Sequence, residues 1–201
     1  MSKHRNNIRR RKNPKAQRII VWIFTDGQNT ERAYFQTLAR YQNVNVKIPK
    51  ECAGKSPNDL FDKALETKTE AKSSDDASRD QFWVVFDDDG RNGVTEARTR
   101  CRQAGLNAAV SNPCFEVWLL LHLTDYDRPD NQAAVQRELE CQCPTYERGR
   151  RKLPDFESFI ENINIAESRA ENLDNRRVAQ GNPNGRPSTQ VYKLTRALRD
   201  T

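Results

Sequence analysis

The chain of 201 residues is short of apolar material: hydrophobic side chains make up 35% of it and the mean hydropathy is −0.96. Its best apolar run, 117–121, falls far below the 18 or so residues that a membrane-spanning helix needs. No apolar stretch follows the basic N-terminal residues before Arg18, so a secretory leader is not expected. Histidine is scarce, with only His4 and His122. Cys52, Cys101, Cys114, Cys141 and Cys143 are odd in number and lack framework spacing, which fits a reducing cytoplasm. The Cys141-x-Cys143 pair has too few partners at suitable spacing for a zinc site. Acidic residues are missing from one segment altogether. Residues 1–20 hold eight cations and no acid, which leaves 26 of the 34 cations and all 28 acids to the remainder, a net of −2 there. The overall charge of +6 is therefore a property of the N-terminal arm, and the body is not a uniformly basic nucleic-acid binder.

What apolar sequence there is comes in discrete blocks. Residues 19–24 are a continuous β-branched and aromatic run that stops at Asp26-Gly27, as a strand buried on both faces would. Asn29 or Thr30 caps an expected helix to about Tyr41, with Tyr34, Leu38 and Tyr41 on its apolar face. A strand over 44–48 follows, then a helix from Ser56-Pro57 burying Leu60, Phe61, Ala64 and Leu65, and a polar loop over 67–80. Residues 82–86 form a third strand running into Asp87-Asp88-Asp89-Gly90. A helix over 94–104, a strand near 108–111 and an apolar helix over 115–123 complete a β-α alternation that implies a parallel sheet covered on both faces. Helical patterns dominate thereafter: 131–140, an amphipathic stretch over 155–173, and a last helix beginning at Ser188 or Thr189. The expected organisation is a basic arm (1–17), an α/β core (18–125) and a helical C-terminal extension packed on it (126–201).

In open α/β sheets ligands sit beyond the carboxyl ends of the strands. Two expected strands end there in acids, the first in Asp26 and the third in Asp87, Asp88 and Asp89. In extended chain Asp87 and Asp89 point the same way. Clustered carboxylates repel one another, and a hard divalent cation such as Mg²⁺ relieves that repulsion. A solvated turn after a strand is the competing explanation of Asp-Asp-Asp-Gly.

An acid-Gly turn after strand one and an Asp-x-Asp after strand three resemble the Toprim domain. More specifically, T-D-G-Q-N-T-E-R-A-Y-F (25–35), V-V-F-D-D-D (84–89), S-N-P-C-F-E-V-W-L-L-L-H (111–122) and P-S-T-x-V-Y-x-L (187–194) are similar to RloB-like proteins, Toprim proteins of bacterial phage defence and abortive infection. The resemblance implies a Toprim-like parallel sheet of about four strands flanked by helices, with a helical C-terminal extension. It implies a cytoplasmic bacterial nuclease dependent on Mg²⁺ or Mn²⁺, with RNA, tRNA included, favoured over DNA. Asp26, Asp87, Asp89 and Glu31 are its catalytic candidates, and Asp26, Asp87, Asp89 and Glu116 its metal candidates. An ATPase partner and self-association also belong to the expectation.

The family's first motif usually reads Glu-Gly, whereas this chain has Asp26-Gly27, about 1.5 Å shorter in reach. Glu31 compensates only if it turns into the site; otherwise it is a first-turn charge favoured by the helix dipole. The shortened acid also raises a second expectation, a catalytically weak subunit that binds nucleic acid or an ATPase. From the residues alone, Glu116 is equally a core hydrogen-bonding group, and His122 is read as structural. Gly54-Lys55-Ser56 lacks the upstream glycine of a Walker loop, with Lys50 in its place, but Lys55 remains a candidate phosphate contact. Arg9, Arg10, Arg11 and Lys12 of the arm, and Arg148, Arg150, Arg151 and Lys152, are the other nucleic-acid candidates.

Overall fold

A computed structural model of the chain describes residues 19–27, 29–71, 79–90, 92–146 and 153–201. The basic arm and the 148–152 cluster lie outside the described residues.

The apolar runs become strands because they can bury both faces. In β1 (Ile20–Thr25), Val21 and Ile23 enter one hydrophobic cluster while Phe24 enters another. β3 (Gln81–Asp87) divides the same way, Trp83 and Val85 to one side and Phe82, Val84 and Phe86 to the other. With β2 (Asn45–Lys47), β4 (Asn107–Asn112) and β5 (Ser188–Thr189), the order is β2-β1-β3-β4-β5. The first four are parallel, and β5 runs antiparallel to β4. This confirms the mixed α/β class and adds a fifth strand contributed by the C-terminal region.

Helices α1 (Thr30–Gln42), α2 (Pro57–Ala71) and α3 (Val94–Gln103) make the crossovers. α1 packs on one face, and α2 and α3 on the other. That division follows from right-handed crossovers: the chain moves outward from β1 to β2, then reverses past β1 to β3 and β4. The reversal places a topological switch point between β1 and β3, where loops diverge and leave a crevice at the carboxyl ends.

On the α1 face lies α4 (Glu116–Leu123), Glu-Val-Trp-Leu-Leu-Leu-His-Leu, with its first seven residues all buried. A helix apolar all round must be covered all round. α5 (Gln132–Gln142), α6 (Phe156–Glu161), α7 (Ile163–Ala179) and α8 (Val191–Arg199) supply the cover, and their apolar residues join the cluster built on β1 and α4. Glu167 of α7, itself buried, accepts hydrogen bonds from Thr195, Arg196 and Arg199 and so fastens α8.

Four local expectations change. Tyr41 is 64% exposed rather than on the buried stripe, because α1 ends one residue later with Asn43 in the left-handed region. Leu65 is likewise largely outside the core. α2 continues to Ala71, beyond the expected loop boundary at 67. Ser188 and Thr189 are strand, not helix start: their backbones pair with Asn112 and Ser111 before α8 begins at Val191.

Candidate active site at the carboxyl end of the sheet

Asp26 directly follows β1, and Asp87 is the last residue of β3. The register sets Thr25 beside Val85 and Asp87 beside Ser111, so both acids emerge at the switch point. Glu31 stands in the first turn of α1, and Glu116 opens α4 just beyond β4. Four chain segments, at the ends of β1 and β3 and the starts of α1 and α4, thus deliver carboxylates to one end of the sheet. The extended register that would align Asp87 with Asp89 stops at Asp87; residues 88–90 turn away, with Gly90 at a φ of 91° that favours glycine.

Glu31 folds back over the first motif. A Cβ built on Gly27 would overlap its carboxyl group, so glycine is what lets that carboxyl lie against the backbone there. Burial above all, then the carboxylates of Glu116 and Asp26, push the Glu31 carboxyl from its ordinary 4.5 up to about 7, against a backbone hydrogen bond that lowers it. Burial, followed by the charges of Glu116 and Asp87, pushes the Cys114 thiol up. Glu116 and Asp26 thus lie within electrostatic reach of Glu31, and Glu116 and Asp87 within that of Cys114, so Glu116 links the two ends of one acidic field.

Glu116 is buried and held from the side: its Oε1 accepts from Tyr146 Oη at 2.9 Å and Gln136 Nε2 at 3.1 Å. It is therefore both a core hydrogen-bonding group and a member of the acidic field. His122 is structural. Its Nε2 meets Tyr34 Oη at 3.2 Å, its Nδ1 meets the Trp118 carbonyl at 2.9 Å, and burial pushes it down to about 4.

Cations flank the acids on two sides. The loop before α2 docks on the first motif, where the Gly54 N–H donates to the Asp26 carbonyl at 2.9 Å, which brings half-buried Lys55 alongside. On the opposite side, Arg186 Nε donates to Asn112 Oδ1 at 3.2 Å and Arg98 Nη2 to Asn184 Oδ1 at 2.8 Å. Asn112 Nδ2 donates to the Asn184 carbonyl, which ties the turn before β5 to the end of β4. Burial pulls the Arg98 guanidinium down, and the carboxylates of Asp88 and then Asp174 act against it. Arg98 and Arg186 were missed in the sequence, since an arginine on a polar helix or in a turn has no signal that separates it from a solvated charge.

Among the described residues, no three His, Cys, Asp or Glu side chains stand close enough together to enclose a metal ion. The donor chemistry nonetheless fits a hard divalent cation: the acids are oxygen donors, and a cation among them would offset the burial of the Glu31 carboxylate and the lesser repulsion it meets from Glu116 and Asp26.

A mixed α/β protein with acids gathered at the switch point of a mostly parallel sheet is the class that fold and site define. The family model for RloB-like protein matches residues 21–198, and the chain belongs to that family. No curated protein and no solved structure matches it. Among the described residues, no helix is long and apolar enough to cross a membrane.

Proposed function

We propose that the protein is a divalent-metal-dependent nuclease of Toprim type. The observation that carries this reading is the convergence of Asp26, Glu31, Asp87 and Glu116 on one end of the sheet, with the Glu31 proton held to about neutrality. Asp26 and Asp87, with Asp89 from the adjoining turn, would hold Mg²⁺ or Mn²⁺. When bound, that ion supplies positive charge against the anionic phosphate and acidifies water. Glu31, whose carboxyl lies over Gly27 beside these acids, would accept the proton that the attacking water loses as its oxygen bonds to phosphorus and the P–O bond to the leaving group breaks. Lys55, Arg98 and Arg186 offset the repulsion between the acids and a polyanion. The arm residues Arg9–Lys12 and the 148–152 cations extend that attraction. RNA as substrate and a role in antiviral defence rest on the family resemblance.

The test is incubation of the purified full chain with tRNA, single-stranded DNA and plasmid in Mn²⁺. Cleavage is expected, and expected to vanish in the Asp87→Ala/Asp89→Ala double variant; cleavage that persists in that variant overturns the assignment.

A second reading has one observation in its favour, the capture of Glu116 Oε1 by Tyr146 and Gln136. It makes the chain a nucleic-acid- or ATPase-binding subunit of low activity. Calorimetric titration with Mn²⁺ separates the two: heat of binding lost with Asp87→Ala supports the nuclease, and none in the wild type supports the subunit.

A further inference from the structure

Between α3 and the β4–β5 edge lies a groove of about 550 Å³ that follows α3 toward the first residues of β4. Thr95, Arg98, Thr99 and Arg102 line it from α3, Asn107 from β4, and Gln190 from the residue after β5. Arg98 and Arg102 are four apart, hence neighbours on one helix face, and Thr95 and Thr99 lie along the same stretch. Thr95 and Thr99, in the first half of α3, also line a second hollow of about 720 Å³ whose walls include Asp88 and Glu96, so this end of the groove lies toward the turn that follows β3.

The groove is built for an anion. Its lining offers guanidinium, hydroxyl and amide donors and no carboxylate. Arg98 is half-buried, yet its hydrogen-bond partner is the neutral amide of Asn184, which Gln190 Nε2 also engages at 3.0 Å. Among the described residues neither Arg98 nor Arg102 is in an ion pair, in contrast to Arg100 between them, which is paired with Asp62. A half-buried guanidinium that touches no carboxylate of the described residues directly, with only the more distant charges of Asp88 and Asp174 acting on it, is stabilised further by an anion that the groove admits. Phosphate suits the planar, multi-donor guanidinium.

We propose that this groove is a phosphodiester-binding subsite: Arg98 and Arg102, assisted by Thr95, Thr99 and Gln190, take backbone phosphates of a polynucleotide strand whose scissile bond lies at the acidic end of the sheet. The inference rests on the nuclease reading for the substrate's class. It adds where the strand runs, outward along α3 rather than across the α1 face.

Binding is measured on the full chain in EDTA, by fluorescence anisotropy with a labelled single-stranded RNA 12-mer and a DNA 12-mer of the same sequence, between 50 and 200 mM KCl. Arg102→Glu changes an exposed residue and is expected to weaken binding about ten-fold at the middle of that range. Arg98→Gln/Arg102→Gln is expected to flatten the slope of log affinity against log salt by about 1.4, at about 0.7 per phosphate contact on a single strand. Arg137→Gln on α5, in the opposite helical layer, serves as the charge control and is expected to bind as wild type. Loss of affinity for either 12-mer on Arg102→Glu supports the subsite. Wild-type affinity and slope in both groove variants overturn it, as does an absence of binding by the wild-type chain. Because no divalent metal is present, binding through the groove without cleavage in Mn²⁺ refutes only the nuclease reading. Cleavage with unaltered binding in the variants refutes only the subsite.

Discussion

Replacing Glu31 by glutamine is expected to stabilise the metal-free protein at alkaline pH and to leave it unchanged in acid. The folded chain holds the Glu31 proton more tightly than the unfolded chain, at about 7 against an ordinary 4.5. Between those values the folded state is the one that carries more protons, so stability falls as pH rises through that window. The displacement corresponds to about 3 kcal/mol at 1.36 kcal/mol per pH unit, discounted to about 2 kcal/mol because the side chain, although densely surrounded by protein, keeps some contact with solvent. Glutamine keeps the shape and the backbone hydrogen bond without the charge. In EDTA at pH 8, Glu31→Gln is therefore expected to melt about 4–8 °C above wild type, since about 1 kcal/mol moves the midpoint 2–4 °C in a chain of this size. At pH 4 the two should coincide. Thermal unfolding followed by circular dichroism at half-unit pH intervals measures the difference directly. Addition of Mn²⁺ at pH 8 should narrow the gap, because a cation held by the neighbouring acids offsets the ionised Glu31 carboxylate of the wild type, whereas glutamine has no charge to offset. A melting difference that does not vary with pH refutes the argument that a largely desolvated carboxyl sits over Gly27.

Gly27→Ala tests the same contact from the other side. The atoms nearest its Cβ are those of the Glu31 carboxyl, the movable end of a side chain, so the variant should fold with nearly wild-type stability while losing Glu31's place and, with it, the pH-dependent difference and the cleavage. His122 titrates in the opposite sense. Its folded value is pushed down to about 4 from 6.5, so the folded state binds fewer protons there and about 3 kcal/mol is lost as pH falls through that range. In the Glu31→Gln background this slope should stand exposed as a stability that rises from pH 4 to 6.5. His122→Ala, which leaves a cavity and strands the Tyr34 hydroxyl, is expected to cost about 2–5 kcal/mol in urea denaturation at pH 7.

Local sequence carried the parallel core, and for a physical reason. Strands buried on both faces must be apolar throughout, so 19–24 and 82–86 announced themselves, and the acids that end them marked the end of the sheet that matters. The all-round apolar α4 likewise demanded cover before any cover was visible. What the sequence left open was direction. Glu31 in a first helical turn reads the same whether its carboxyl meets solvent or folds over Gly27; the fold chose the latter. Glu116 read as ligand or core donor-acceptor, and packing from α5 and Tyr146 made it a core partner within the acidic field.

The family motifs identified the chain, but the order β2-β1-β3-β4-β5, which creates the switch point between the first and third strands, is a property of which distant segments pair. The same holds for β5. Two residues that look like a helix start become strand because their backbone groups find Ser111 and Asn112, more than seventy residues away. That pairing brings Arg186 and Gln190 to the acids and the α3 groove. Hydrophobic period is a local quantity and can be read along the chain. The proximity of charges is not, because it is decided only when the core has closed and the polar groups at its edge have no choice of neighbour.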